Sequence, residues 1–476
     1  MVLATLFSIA LVVQDQASLR AAAQDTASRQ ATLWQGEWLE VRGEKLGFVQ
    51  VWDHKRERPG YVRAQQVRLY RLEDSAAPAL AAVLDFLRDT PGSEALGIGY
   101  AAAFLKAAPP QAVGPELFDA LGTLSDRLAQ RASVKTTRPA TEEALAAHLD
   151  VAASYGVKMK SFEREGHTQV CYDGEAFRRV LALGGTPQAR ARAALSLTRP
   201  ECVEPGLGPT EREMLDTWRA QTLDQVDAAQ VPAYVANRLR LRRAEINASL
   251  AYQHARHGEM QKAAQASERS VEALAGVQKA ELADEDKPRH AQTALRVAAS
   301  RWASETTPPR PGPGPVLQAK TGNSPGETCL SLVNNKAEKA NGAPLFEKCT
   351  FGQVWLASAR NAPKGNAVAV SVEMLEGWTE LWIFHPGEGG AWTLDTVMPG
   401  VTSPELGYVE WAGFSPDGQR MLVAREALVE GKVKSLFEVL TLDTLMPEKS
   451  AGNPDALSAF HKWSAAEWKG RTLAVR

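Results

Sequence analysis

Four cysteines and eight histidines are the residues of this 476-residue chain with the most to offer a reactive site. His167 and Cys171 are four apart, so in a strand they share a face. A thiolate nucleophile also needs a base that a third group holds in place, and none is spelled nearby. His254 and His257 are three apart on one helix face. No nearby acid completes a metal set with them, so they read as a polar helix face. Gly97-Ile98-Gly99-Tyr100-Ala101-Ala102 imitates a dinucleotide-binding turn. No predicted strand leads into it, and residues 101–105 run on as helix. No P-loop or His-Glu-x-x-His occurs, and no nucleophile elbow is read. The expectation is a chain with no catalytic residues, no cofactor and no metal.

The remaining polar features read as surface or scaffold. Arg238, Arg240, Arg242 and Arg243 cluster on alternate faces of a long helix, which reads as a solvated face. Net charge is −2 and the isoelectric point is near 6.5. That gives no global field for nucleic acid, and no nucleic-acid partner is expected. Asn247-Ala248-Ser249 spells a glycosylation sequon inside a predicted helix and is discounted. Cys171, Cys202, Cys329 and Cys349 fall into two pairs without Cys-x-x-Cys spacing. Of three possible pairings the simplest is Cys171–Cys202 with Cys329–Cys349. Each bond would close a loop of about 20 to 30 residues, worth roughly 3 kcal/mol. Paired cysteines point to a periplasmic or secreted protein, and four unpaired core thiols to a cytoplasmic one.

The elements that must position these residues fall into three regimes. Residues 11–72 alternate apolar and polar and read as strands. Residues 75–305 have helical spacing, with stripes over 78–88 and 115–131. Thr210 and Glu213 form a capping-box pattern ahead of Met214, Leu215 and Trp218. A small β-hairpin near 156–172 interrupts the helices, and helices over 175–183 and 187–197 follow it. Cys171 and Cys202 flank that helical pair, so their bond would clamp it. Residues 307–315, TPPRPGPGP, read as a Pro/Gly linker. Residues 316–476 return to β character and hold seven of the twelve tryptophans. The fold class expected is multidomain α+β: a small β-barrel, a helical bundle and a C-terminal β domain. Length alone suggests about three domains.

Residues 2–13 form an apolar run without a preceding Lys or Arg. Two readings compete. Residues 1–10 are a truncated signal segment, or the run is the first strand. No run of about 18 uncharged apolar residues occurs, so no membrane-spanning helix is expected.

The ordered set Val12-Val13, Leu19-Arg20, 33–41 (LWQGEWLEV), 46–51 (LGFVQV), Gly60-Tyr61-Val62 and Val67 resembles the bacterial SH3-like domain over about 60 residues. Leu39 and Val41 point inward in this pattern, as do Val49 and Val51. Gly60 lets the chain bend before Tyr61-Val62 closes the barrel. The resemblance implies binding of cell-wall peptides or glycan strands, or protein docking. Trp34, Trp38, Trp52 and Tyr61 would line the groove, or at least two of them would only fill the barrel. The loop 54–58, HKRER, would meet an acidic partner or stand solvated. Domains of this type accompany cell-wall cysteine peptidases, but none of the four cysteine contexts here resembles theirs.

Two weaker resemblances lie further on. Leu250, Ala251, Ala255, Gly258 and Ala263 resemble one tetratricopeptide hairpin. Phe414-Ser415-Pro416-Asp417-Gly418 resembles the turn of periplasmic β-propeller blades. The same shape recurs around Gly365 and Gly470, predicting three blade-like units, fewer than a closed propeller usually needs. Trp355, Trp378, Trp382, Trp392, Trp411, Trp463 and Trp468 would mostly be core. The function expected is a non-catalytic envelope binding or scaffolding protein that takes a protein or cell-wall ligand. The alternatives are an accessory or degenerate cell-wall hydrolase and a cytosolic regulatory protein.

Overall fold

The described part of the apolar N-terminal run, from Ser8 on, enters the fold as a strand. The computed structural model describes residues 8–305, 312–334, 343–400 and 405–473. Its first element is β1 (Ser8–Val12). With β2 (Ala17–Arg20), β3 (Arg29–Leu33), β4 (Trp38–Lys45), β5 (Phe48–Asp53), β6 (Arg58–Arg63) and β7 (Val67–Arg71) it forms a seven-stranded sheet in the order β3-β2-β6-β5-β4-β1-β7. Residues 1–7 of the expected signal segment lie outside the described residues. Residues 8–10 belong to β1, where Ile9 and Ala10 are buried between β4 and β7.

All pairings in this sheet are antiparallel, and the sheet curls around a core of its own strand residues. That core includes Ala10, Val12, Leu19, Leu33, Leu39, Val49, Val51 and Val62. The inward alternation of Leu39, Val49 and Val51 is thus as the sequence pattern requires. The expected barrel does not close. β3 pairs only with β2, β7 pairs only with β1, and β2 meets β6 at the single pair Arg20–Tyr61. Gly60 does not make a bend either. It lies within β6, where a Cβ would fall 2.4 Å from Leu19 Cδ1.

The helices that follow pack on the other face of the sheet at β1, β4 and β7. These are α1 (Ala77–Arg88), α2 (Glu94–Ala107), α3 (Pro115–Ser133) and α4 (Pro139–Ser154), then the hairpin β8 (Met159–Arg164) and β9 (His167–Tyr172), then α5 (Glu175–Leu183) and α6 (Pro187–Leu197). Ile9 and Leu11 of β1 share a core with Leu80, Leu84, Ile98, Phe104, Leu124 and Leu128. The Cys171–Cys202 disulfide forms between β9 and the turn after α6, clamping that helical pair.

The chain divides into two compact units: Met1–Leu207 with Thr222–Val231, and Gly208–Gln221 with Pro232–Arg476. This grouping differs from the three sequence regimes, because each half of the helical region packs on its own β region. The second unit holds most of α7 (Pro209–Asp224) and all of α8 (Ala233–Arg256), α9 (Met260–Ala275) and α10 (Lys287–Ser300). Helices α8 and α9 form the hairpin read in the sequence, with Gly258 at the turn and Ala251, Ala255 and Ala263 buried. Leu295, Ala298 and Ala299 of α10 share a cluster with Leu406 and Tyr408 from beyond the Pro/Gly linker. Residues 307–311 of that linker lie outside the described residues. Its described part is tied down: Asn361 Nδ2 donates to Pro313 O at 3.2 Å and to Pro315 O at 2.7 Å.

The C-terminal strands begin with a three-stranded sheet, β10 (Val316–Thr321), β11 (Thr328–Val333) and β12 (Phe346–Thr350). Cys329 and Cys349 are directly opposed on β11 and β12 and form the second disulfide. Two antiparallel meanders follow: β13 (Gln353–Asn361), β14 (Val368–Leu375), β15 (Trp378–Pro386) and β16 (Trp392–Val397); then β17 (Gly407–Phe414), β18 (Arg420–Val429), β19 (Lys432–Thr441) and β20 (Pro447–Ala451). A short parallel contact of β15 with β17 joins them into one eight-stranded sheet. Gly365 and Gly418 make the equivalent left-handed turns, with φ of 69° and 64°. The third expected unit is not formed among the described residues. Gly470 lies in α12 (Ala466–Arg471), which follows α11 (Ser458–Trp463). The domain is therefore not a closed propeller. Of its seven tryptophans, Trp355, Trp378, Trp382 and Trp468 are buried and the other three half-buried.

Candidate binding face of the N-terminal sheet

The four aromatic residues singled out by the sequence do not form one groove. Trp34 follows β3 and is buried, packed on Ala95 of α2 and Val151 of α4. Trp38 opens β4; its Nε1 donates to Gly99 O at 3.2 Å and its ring lies 5.2 Å from that of Tyr155. Both serve the contact between sheet and helices. Trp52 and Tyr61 are half-exposed. Trp52 stands opposite Glu40 and Pro59, and Tyr61 opposite Gln50 and Arg20. With a side-chain period of two, Trp52, Gln50, Pro59 and Tyr61 share one face of β5 and β6, while Val49, Val51 and Val62 fill the core behind it. Two aromatic side chains beside the Gln50 amide suit a peptide or a sugar ring.

The loop of residues 54–58 is not a free basic patch. Arg56 turns inward to bond the Glu37 carboxylate at 3.0 and 3.1 Å and Asp53 at 2.8 Å. Hydrogen bonding to Glu37 is the largest influence on its guanidinium and, with the Asp53 bond, outweighs burial, holding its pKa above the usual value. Asp53 Oδ1 also accepts from the backbone N–H of Lys55 and Arg56, a local turn that fixes the β5–β6 connection. Lys55 pairs with Asp150, and His54 lies 2.8 Å from Glu40 Oε2. The loop is satisfied within the chain.

A polar centre that sequence reasoning missed supports the sheet edge. Asp15 Oδ1 lies 2.8 Å from His148 Nε2, and Gln35 donates to Asp15 through its backbone N–H and through Nε2. Burial pushes the Asp15 carboxyl up, but His148 and Gln35 outweigh it and leave the group below its ordinary range. His148 is buried on α4, and no hydroxyl or thiol nucleophile is bonded to this pair among the described residues. The arrangement is a positioning network for the turn that carries Trp34 and Gly36.

The other singled-out residues resolve plainly. Cys171 is in a disulfide, so His167 faces no thiol. Gly97 and Gly99 lie inside α2 and allow close packing: a Cβ would fall 2.6 Å from Leu124 Cδ1 at Gly97 and 2.6 Å from Gly36 O at Gly99. The arginine cluster is not a solvated face. Arg242 is buried, Arg238 bonds Asp286 and Glu285, and none of the four is fully exposed. Asn247 is buried and donates to Arg243 O. Residues 322–326 do spell a Gly-x-Ser-x-Gly string. It is the turn between β10 and β11, where Glu327 Oε2 accepts from the N–H of Asn323 and Ser324. A nucleophile elbow needs a strand-to-helix turn, which this is not.

His254 and His257 do have acids beside them, contrary to the sequence reading. Glu213 of α7 and Glu259 both reach His254, and Glu213 also reaches His257. Glu213 is 44 residues from His257, and Glu259 lies across the α8–α9 turn from His254. Helical spacing alone carries no signal for either contact. No helix among the described residues is long and apolar enough to cross a membrane. Compared with family models, curated proteins and solved structures, the chain matches none.

Proposed function

We propose that this chain is a non-catalytic binding or scaffolding protein of the bacterial envelope, with an SH3-like module at its N-terminus that takes a peptide or cell-wall glycan. The observation that carries the reading is the shared, half-exposed face of Trp52 and Tyr61, with Gln50 opposite Tyr61 and a strand-built core behind them. An aromatic face on a rigid sheet offers contact area at little entropic cost. Trp34 and Trp38 are left out of the ligand set, because the helices already occupy them.

The cysteines support a periplasmic or secreted location. All four are joined in two disulfides, and such bonds persist in oxidising compartments. The test uses the full chain mixed with purified peptidoglycan sacculi and then sedimented. The chain should appear in the pellet, with no muropeptides in the supernatant. Release of muropeptides would replace the binding reading by the hydrolase one, and failure to sediment would remove the cell-wall ligand. Full alkylation of all four cysteines without reductant, in protein from its native cell, would favour the cytosolic regulator.

A further inference from the structure

The end of the α8–α9 hairpin gathers two histidines and two glutamates from three segments of the second unit. His254 sits in the last turn of α8, Glu259 stands just before α9, and Glu213 comes from α7. The turn between the two helices is fixed by backbone bonds: Gly258 N donates to Ala255 O at 3.0 Å and Glu259 N to His254 O at 2.8 Å. Glu213 Oε1 lies 3.3 Å from His254 Nδ1, and Glu259 Oε2 lies 2.9 Å from it. The three ligand atoms all fall within 4.8 Å of one another.

What distinguishes this group from a surface ion-pair cluster is how the remaining carboxylate oxygens are used. Glu213 Oε2 is held by His257 Nδ1 at 2.6 Å, and Glu259 Oε1 by Lys262 Nζ at 2.8 Å. Each carboxylate has one oxygen fixed by an outer partner and turns the other toward His254. Outer-shell bonds of this kind orient metal ligands. Bonds of about 2.0 to 2.2 Å in tetrahedral array place ligand atoms about 3.3 Å apart, close to the 3.3 and 2.9 Å at which the two carboxylates stand from His254 Nδ1. Side-chain exposure of 12% at His254 and 21% at Glu213 leaves an entry path without stripping the site of its walls.

We propose that Glu213, His254 and Glu259 bind a zinc-class divalent cation through Glu213 Oε1, His254 Nδ1 and Glu259 Oε2, with His257 orienting Glu213. One imidazole nitrogen with two carboxylate oxygens suits Zn2+ and its borderline neighbours, whereas Mg2+ and Ca2+ prefer all-oxygen sets. Two carboxylates balance the ion's charge. Three protein ligands leave a fourth position for water. The other Cys/Glu grouping, Glu327 with Cys329 and Cys349, offers no thiolate, because the two cysteines are bonded to each other.

The test titrates the chelator-stripped full chain with Zn2+, and separately with Mg2+, by calorimetry, and follows the thermal midpoint. Wild type should bind one tight Zn2+ and rise in midpoint as Zn2+ increases. His254→Gln should lose that site and the rise. His257→Gln should weaken binding by about 10- to 100-fold, the usual cost of an outer partner. Affinity should also fall as pH is lowered, because Nδ1 must be unprotonated to ligate. If His254→Gln fails to fold, Glu259→Gln carries the same comparison from a more exposed position. Equal Zn2+ affinity in wild type and a folded ligand variant, or equal response to Zn2+ and Mg2+, would overturn the site.

Discussion

Glu373 lies buried on β14, its Oε1 accepting from Gly377 N at 2.8 Å. Burial pushes its carboxyl from 4.5 up to about 8, with the negative charge of Glu376 adding to the effect. A carboxyl whose pKa is raised by folding lends its full stability below its unfolded value and loses it as pH rises through the folded one. The window here is about pH 4.5 to 8, with a slope of up to about 1.4 kcal/mol per unit. Glu373→Gln keeps the shape of the neutral acid. Its stability relative to wild type should climb across that window and level off above it, and parallel denaturation curves at pH 5 and pH 8 would refute the assignment. Asp216 is the opposite case. Burial raises its carboxyl, but Arg212 and Arg219 outweigh that and hold it below its ordinary range. It accepts from Arg212, Arg219, Ser249 and Gln253. Removing it takes a fully buried carboxylate away from both arginines, so Asp216→Ala should cost about 3–5 kcal/mol in urea unfolding, and Asp216→Asn less.

Close approach of elements explains what single residues do not. Tyr155 Oη donates to Gly36 O at 2.6 Å, and Gly99 of α2 sits against that same carbonyl. Gly99→Ala should force sheet and helix apart at a cost of about 1–3 kcal/mol, read as a lowered urea midpoint; an unchanged midpoint would show that the contact yields freely. The elements legible in the sequence are those with local punctuation. Helices α5 and α6 match their sequence bounds because Gly174 and Pro187 start them and the Thr186 Oγ1 cap accepts from Ala189 N. Helix α4 is not legible, since its buried side chains include His148 and few large apolar residues mark its face. Residues 469–475 look like a repeat turn by their Lys-Gly-Arg start. They form helix through Arg471 instead, because Trp468 and Thr472 turn inward to Glu410, which also pairs with Arg301. The disulfides are legible from spacing; the Glu213–His254 group is not, because distant segments assemble it.

At the scale of the molecule, packing rather than linker composition sets the units. Leu295, Ala298 and Ala299 cover Leu406 and Tyr408, and Thr379 Oγ1 donates to Ala299 O at 3.2 Å. Proteolysis near Arg310 should therefore nick the chain without separating the pieces, which should co-elute in gel filtration until denaturant is added. A fragment from about residue 316 that leaves the column alone and keeps its β-type circular dichroism would show independent folding instead. The central claim concerns the N-terminal face. Its most direct test is the affinity of the full chain for peptidoglycan sacculi, wild type against the double variant Trp52→Ala/Tyr61→Ala. Both side chains are half-exposed, and neither belongs to the core cluster behind them. The account predicts that wild type is retained and that the variant, with its urea midpoint preserved, binds at least about tenfold more weakly, a loss of about 1.4 kcal/mol or more. Equal retention of the two proteins would contradict it.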